Sequence, residues 1–392
     1  MKRNSSKILA IFMTLALVMS FAAISASAVT TYTPVDGGET SFTKYFDVPS
    51  TAQIPTVDFA YTIEAGTAVP GGADNALEIK AGPVTANAPT IESAHFTTGM
   101  NTTAGTPTDE TDTTRKYAVD DVVIDLSGIE FTAPGVYRYK ITETASNLPG
   151  ITNDANSIRY LDLFVFPKES NPNELEVTTY SLRTVATNFT RVYDDENDVY
   201  KYQYTEDAEN KSSSYTNSME TVDLEFKKAI TGNQADKNKQ FTFTLALTDV
   251  NPGAYTVTVN RAEVVGENNS TVSSASGVYT INVPVGSTSA TATFYLADGD
   301  TVTVSDLPVG YGYTITEDSE DYESTASIDG TVYDDPYTGS AIEDDVHVGY
   351  TNSRIGIIPT GVIIMIAPFV IGLFAFGAII LFMTSKRRRA AY

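Results

Sequence analysis

Cysteine is absent from the chain, and histidine occurs only twice, as His95 and His347. The first absence excludes disulfides, thiolate metal sites and a cysteine nucleophile. Two isolated histidines supply neither a zinc constellation nor a Ser-His-Asp arrangement. Basic residues are also scarce: 25 Lys and Arg stand against 49 Asp and Glu, for a formal net charge of −24. Three of those cations lie at the start (Lys2, Arg3, Lys7) and four at the end (Lys386 to Arg389), so the stretch between is more acidic still. Such a surface argues against nucleic acid or an anionic membrane as ligand, and for solubility outside a cell. There is no Gly-rich phosphate loop and no basic patch. The acidic run Asp194 to Asp198 lacks the residue order of an EF-hand and reads as a solvated loop. No cofactor and no metal is expected.

Long apolar runs are confined to the two ends. Lys2, Arg3 and Lys7 precede the run Ile8–Met19 and an A-x-A site at Ala26-Ser27-Ala28, so residues 1–28 read as a secretory signal peptide. Val362–Met383 is uncharged and long enough to span a bilayer, and the basic tail after it is expected to stay in the cytoplasm. Immediately before the span stands Ile358-Pro359-Thr360-Gly361. A Pro-Thr-Gly motif, a span and a short basic tail together resemble the cell-wall sorting signal of Gram-positive surface proteins. That resemblance implies a sortase, cleavage between Thr360 and Gly361, and transfer of Thr360 as a thioester. The motif lacks the residue that the commoner LPxTG form places between Pro and Thr, which leaves the sortase class open.

Between the ends, helical periodicity is missing. Short alternating runs rich in Thr, Val, Tyr and Phe, such as Phe241–Leu245, Tyr255–Val259 and Thr301–Val304, are broken by Pro-Gly, Asp-Gly and Asn-Pro turns. The fold class is therefore all-β, as two tandem immunoglobulin-like β-sandwich domains. The expected division is 29–219 and 220–354, followed by a sorting segment, 355–392. The first domain's surplus length is ascribed partly to the loop-like Gly99–Asp112.

One heptapeptide occurs twice. Tyr137-Arg-Tyr139-Lys-Ile141-Thr-Glu143 returns as Tyr311-Gly-Tyr313-Thr-Ile315-Thr-Glu317. Side chains of a strand alternate between faces, so each glutamate shares a face with two tyrosines and an isoleucine. An ionised carboxylate there is costly unless it is paired or protonated. Candidate partners are duplicated as well: Phe42-Thr-Lys44 and Phe226-Lys-Lys228 before each heptapeptide, and Tyr-Thr-Asn-Ser ending on Asn217-Ser218 and Asn352-Ser353 after it. Alternation with Leu224 and Phe226 turns Lys228 inward and Lys227 outward.

Two readings fit a Lys, a Glu and an Asn aimed into one core. One is a buried ion pair with the asparagine satisfying a leftover hydrogen bond, which adds little over apolar packing. The other is a self-formed amide. Burial favours the neutral amine and the protonated acid, the amine attacks the carboxamide, and the acid polarises the amide oxygen and carries protons to the departing ammonia.

Phe-x-Lys, Tyr-x-Tyr-x-Ile-Thr-Glu and Tyr-Thr-Asn-Ser, in that order and twice, resemble the two-domain major (backbone) pilins of streptococcal type, with Cna-B-type domains. The resemblance implies a Lys–Asn isopeptide bond in each domain, Lys44 to Asn217 promoted by Glu143 and Lys228 to Asn352 promoted by Glu317. It also implies a structural subunit of a covalent cell-surface pilus rather than an enzyme. Its partners would be sortase, identical subunits, minor pilins and peptidoglycan. A basal or minor pilin, or a monomeric wall-anchored adhesin with a receptor unspecified by the sequence, is the alternative. A shaft subunit needs an exposed lysine to attack Thr360 of a neighbour. The family's lysine lies shortly before the first-domain Asn, which points to Lys211; Lys168, in Phe166-Pro167-Lys168, is the second candidate.

Overall fold

The computed structural model describes residues 31–71, 77–84, 89–187, 189–194, 199–204, 211–260, 277–328, 330–333, 337–339 and 342–356. The sequence-predicted signal peptide, the acidic run at 195–198, the apolar span, and Thr360 with Gly361 lie outside them. Among the described residues there are strands, turns and no helix.

In the first half, β1 (Glu39–Pro49), β2 (Arg115–Asp125), β3 (Gly135–Glu143), β4 (Ile158–Lys168), β5 (Asn171–Arg183) and β6 (Ser214–Met219) form most of two facing sheets. One sheet runs β5–β4–β3 and continues to Tyr61–Ala65, with Ile79–Ala81 paired to β3; the other places β6 beside β1 and β1 beside β2. β6 and β1 are parallel, Tyr215 opposite Lys44 and Asn217 opposite Phe46. β1 therefore links the beginning of this half to its end.

The second half repeats the scheme with β7 (Thr221–Thr231), β8 (Phe241–Thr248), β9 (Thr301–Pro308), β10 (Gly312–Asp318), β11 (Glu323–Ile328) and β12 (Val346–Ser353). β9, β7, β12 and β11 lie in one sheet, and β8 and β10 in the sheet facing it. β7 and β12 are parallel, Lys228 opposite Tyr350 and Ile230 opposite Asn352. Each half encloses its own core, one containing Phe42, Phe46, Tyr139 and Tyr215, the other Phe226, Phe243, Tyr313 and Tyr350. The alternation of buried and open positions along β7 and β8 is the period-2 pattern of the sequence.

Alternation fails in the first half, and the failure is informative. Arg138 should face solvent between Tyr137 and Tyr139, yet it is fully buried. Its cross-strand neighbour is Asp162, also fully buried, and the two form a bidentate pair at 2.6 and 2.7 Å. A third cluster, Ile79, Val136, Phe164, Phe166 and Phe189, covers this outer face of the sheet. The first half's extra length thus supplies an additional layer as well as a loop. A buried ion pair needs near-ideal geometry to offset desolvation, and the fork-on-carboxylate arrangement provides it.

The halves meet through specific contacts. The Thr56 N–H donates to the Pro252 carbonyl at 2.9 Å, and the Glu220 N–H to the Gly150 carbonyl at 3.0 Å. The buried Asn251 side chain donates to the Pro149 carbonyl at 3.0 Å. The Arg115 guanidinium bridges Asp47 at 3.1 Å and Glu220 at 2.7 Å. Gly150, at φ +70°, lies where a Cβ would come within 2.8 Å of the Glu220 carbonyl oxygen, so the junction requires glycine there.

Candidate functional site: two buried lysine–glutamate–asparagine clusters

Lys44 and Asn217 come from the parallel strands β1 and β6, and Glu143 from β3 in the facing sheet. Lys44 and Asn217 are fully buried and Glu143 nearly so. The Lys44 ammonium contacts Glu143 Oε1, and the Asn217 amide nitrogen donates to the same oxygen at 3.1 Å. The Tyr61 hydroxyl approaches it at 3.4 Å. The walls are aromatic: Lys44 Nζ lies 4.7 Å from the Phe59 ring centroid and 5.8 Å from that of Tyr215.

The second cluster has the same plan. Lys228 is on β7, Asn352 on β12 and Glu317 on β10 of the opposite sheet. Lys228 Nζ lies 2.5 Å from Glu317 Oε1, and the Asn352 amide nitrogen donates to that oxygen at 2.7 Å. Phe241 and Phe243 wall the amine at 4.6 and 5.5 Å. Lys228 is buried while Lys227 is exposed. In both halves the asparagine stands two residues beyond the lysine's register partner, so the two side chains are diagonal neighbours on one face.

Electrostatics in the first cluster lean toward the neutral pair. Burial pulls the Lys44 amine down to about 8, against the raising influence of Glu143. Burial likewise pushes the Glu143 carboxyl above its ordinary range, against the lowering influence of Lys44. An amine and an acid held this way carry one exchangeable proton between them, and lysine attack on the asparagine requires that count. Formation of a Lys44–Asn217 bond at this site would therefore trace a bell in pH. It falls below the raised carboxyl pKa, where both groups are protonated, and falls again above about pH 8, where the pair has lost its proton. Following the bond by mass in chains refolded across pH checks this; a rate that keeps rising above pH 8 would count against the shared-proton scheme.

The acid faces the nitrogen of each carboxamide, not its oxygen. Glu143 Oε1 touches both the Lys44 amine and the Asn217 amide nitrogen, a geometry suited to proton transfer from one to the other. The carboxamide oxygen, which the acid is expected to polarise, in the first cluster instead accepts from the Asp154 backbone N–H at 2.7 Å. Backbone donors carry no residue-type signature, so this contact had no sequence signal.

The remaining candidates stand apart from the clusters. Lys211 is exposed and forms an isolated bridge with Arg183, just before β6. Lys168 is half-exposed at the end of β4 and pairs with Glu174 at 3.0 Å. His95 and His347 are surface residues, each near a carboxylate (Asp58 and Glu225).

These features define a class: an all-β protein of two sandwiches, each with a lysine, an acid and a carboxamide sealed in its core. Residues 43–194 match the family described as Spy0128-like isopeptide containing domain, and residues 222–354 match a domain of unknown function, DUF7601. A pilin of Streptococcus pyogenes serotype M1 is 27% identical over 94% of this chain and 98% of its own length. The pilus tip adhesin Cpa of Streptococcus pyogenes is 32% identical over 36% of this chain and 18% of its own length. Among solved structures, a mutant of the major pilin from Streptococcus pyogenes superposes with a TM-score of 0.50 at 22% identity, covering 82% of this chain and all of that one. Over nearly its whole length the chain is thus similar to a streptococcal pilin, and its fold is similar to that of a streptococcal major pilin.

Proposed function

We propose that the chain is the structural backbone subunit of a covalently polymerised pilus on the surface of a Gram-positive cell. The observation that carries this reading is the duplicated cluster: lysine and asparagine on the first and last strands of each sandwich, bridged by one carboxyl oxygen from the facing sheet. In this reading Lys44 joins Asn217 and Lys228 joins Asn352, each with loss of ammonia, and Glu143 and Glu317 carry the protons. Sortase joins Thr360 to a lysine of the next identical subunit, and minor pilins and peptidoglycan complete the assembly. The domains are 29–219 and 220–354, a division supported by the separation of the two cores between Met219 and Val222.

Strand direction supports a head-to-tail fibre. β6 runs toward the junction and β12 away from it, each parallel to the first strand of its half. The segment after Ser353 therefore leaves from the far end of the second half, while Lys211 and Lys168 both lie on the first half's side of the crosslink or beyond it. The intact mass of recombinant Val29–Thr360, made without sortase, is expected to fall short of the sequence mass by two ammonia molecules. Peptides joining Lys44 to Asn217 and Lys228 to Asn352 should account for the deficit. A mass equal to the plain sequence reduces both clusters to polar core pairs and removes the crosslinking step.

A further inference from the structure

The two clusters differ in what holds the asparagine's oxygen. In the first, Asn217 Oδ1 accepts from the Asp154 N–H at 2.7 Å. A backbone N–H can only donate, so this contact fixes the carboxamide with its oxygen toward Asp154 and its nitrogen toward Glu143. The donor is itself pinned. The Asp154 carboxylate accepts from the Asn156 N–H at 2.8 Å, from the Thr216 N–H at 2.8 Å and from Arg159 at 3.1 Å. Thr216 adjoins Asn217 on β6, and Arg159 stacks 4.2 Å from the Tyr215 ring, so donor and acceptor are tied to one strand. In the second cluster Asn352 Oδ1 has no partner among the described residues, whereas the Ser324 hydroxyl donates to the second oxygen of Glu317 at 2.8 Å.

We propose that the Asp154 backbone N–H is a catalytic donor for the first-domain bond, holding the Asn217 oxygen as it becomes an oxyanion, and that the second domain forms its bond without an equivalent. The inference rests on the Lys44–Asn217 reading above. The neutral Lys44 Nζ forms a bond to Asn217 Cγ, and the C=O electron pair moves onto Oδ1 against the Asp154 N–H. Glu143 delivers its proton to Nδ2 and takes one from Nζ; the pair then returns and the Cγ–Nδ2 bond breaks, so that one amide forms, one ammonia leaves and Glu143 ends protonated as it began. Preorganised donors of this kind stabilise charge at no reorganisation cost in a dry site. The Asp154 carboxylate and Arg159 are positioning groups.

The test uses the whole two-domain ectodomain, with the second-domain bond as internal control. Replacing the residue 154 amide by an ester, with the aspartate side chain kept, deletes the N–H. The first-domain bond is then expected to form about 10²–10³-fold more slowly, while the second-domain bond keeps its rate. The alkaline limb of the first-domain pH profile should stay where the wild type has it, because the side-chain charges are unchanged. A wild-type rate in the ester chain, or equal slowing of both domains, overturns the assignment. Should the ester chain not fold, Asp154→Ala carries the test: it keeps the N–H but releases it from Thr216 and Arg159. Slowing confined to the first domain supports the proposal, and an unchanged rate overturns it. A wild-type chain with no Lys44–Asn217 bond overturns the underlying reading instead, and the donor's role with it.

Discussion

A chain carrying Glu143→Ala is expected to fold, to retain the Lys228–Asn352 bond, and to lack the Lys44–Asn217 bond entirely. Its mass should exceed the wild type's, after allowance for the substitution, by one ammonia. Glu317→Ala should give the mirror result. The stability cost has two sources acting in the same direction. A crosslink closing a loop of more than a hundred residues removes about 4–5 kcal/mol of chain entropy from the unfolded state, by analogy with a disulfide. The alanine also strips a buried amine of its partner, a change that costs about 3–5 kcal/mol when the amine remains charged. For a domain of this size the first alone lowers the melting point by roughly 10 °C or more. Asn217→Ala separates the sources, because it loses the bond but keeps the Lys44–Glu143 pair. Calorimetry should therefore place Glu143→Ala below Asn217→Ala, and Asn217→Ala below wild type. A Glu143→Ala chain whose digest still contains the crosslinked peptide would remove the acid from the mechanism.

The clusters are legible in the sequence because of how strands distribute side chains. Period-2 alternation places Lys44, Glu143 and Asn217 beside aromatic neighbours with a definite face, and the duplicated motifs tie the three segments into one set. The same rule fixed Lys228 against Lys227. It failed at Arg138, because alternation assigns faces and says nothing about what covers them. The sign of a second covered face was present in β4, where Leu161 to Phe166 are buried without a break, as in strands sandwiched on both sides. The Asp154 contact and the backbone bonds at the junction were illegible for another reason. Every residue has an N–H and a C=O, so sequence does not show which of them meet across a fold.

The junction contacts and the clusters also bear on each other. Arg115, Asn251 and Gly150 hold the halves together at the point where β6 passes into β7. The Lys44–Asn217 bond would sit just before that point and the Lys228–Asn352 bond just after it, so the chain between the two crosslinks is short and lies in strands except at Glu220.

In cells with the matching sortase, Lys211→Ala should abolish the polymer ladder, whereas Lys168→Ala should leave it intact. The expectation follows from the covalent path that tension would take. With Lys211 as acceptor, load enters six residues before Asn217, runs along β6 into β7, crosses from Lys228 to Asn352 and leaves toward Thr360. Everything from Ala229 to Thr351 is bypassed by the second crosslink, and everything before Lys211 hangs outside the path. Neither core has to resist unfolding, since no strand pair lies in series with the force. With Lys168 as acceptor, the segment from Lys168 to Asn217 would carry the load. It includes β5 and the hairpin Phe189–Asp194 with Val199–Tyr204, and the Lys44–Asn217 bond, which lies to one side, would not shield it. Only a Lys211 linkage leaves no unfoldable segment in the load path, with the Lys228–Asn352 bond carrying the force and the Lys44–Asn217 bond lying to one side. Immunoblots of wall extracts read the ladder directly. A normal ladder from Lys211→Ala together with loss in Lys168→Ala would move the linkage to the β4–β5 turn, and would predict subunits that lengthen under force.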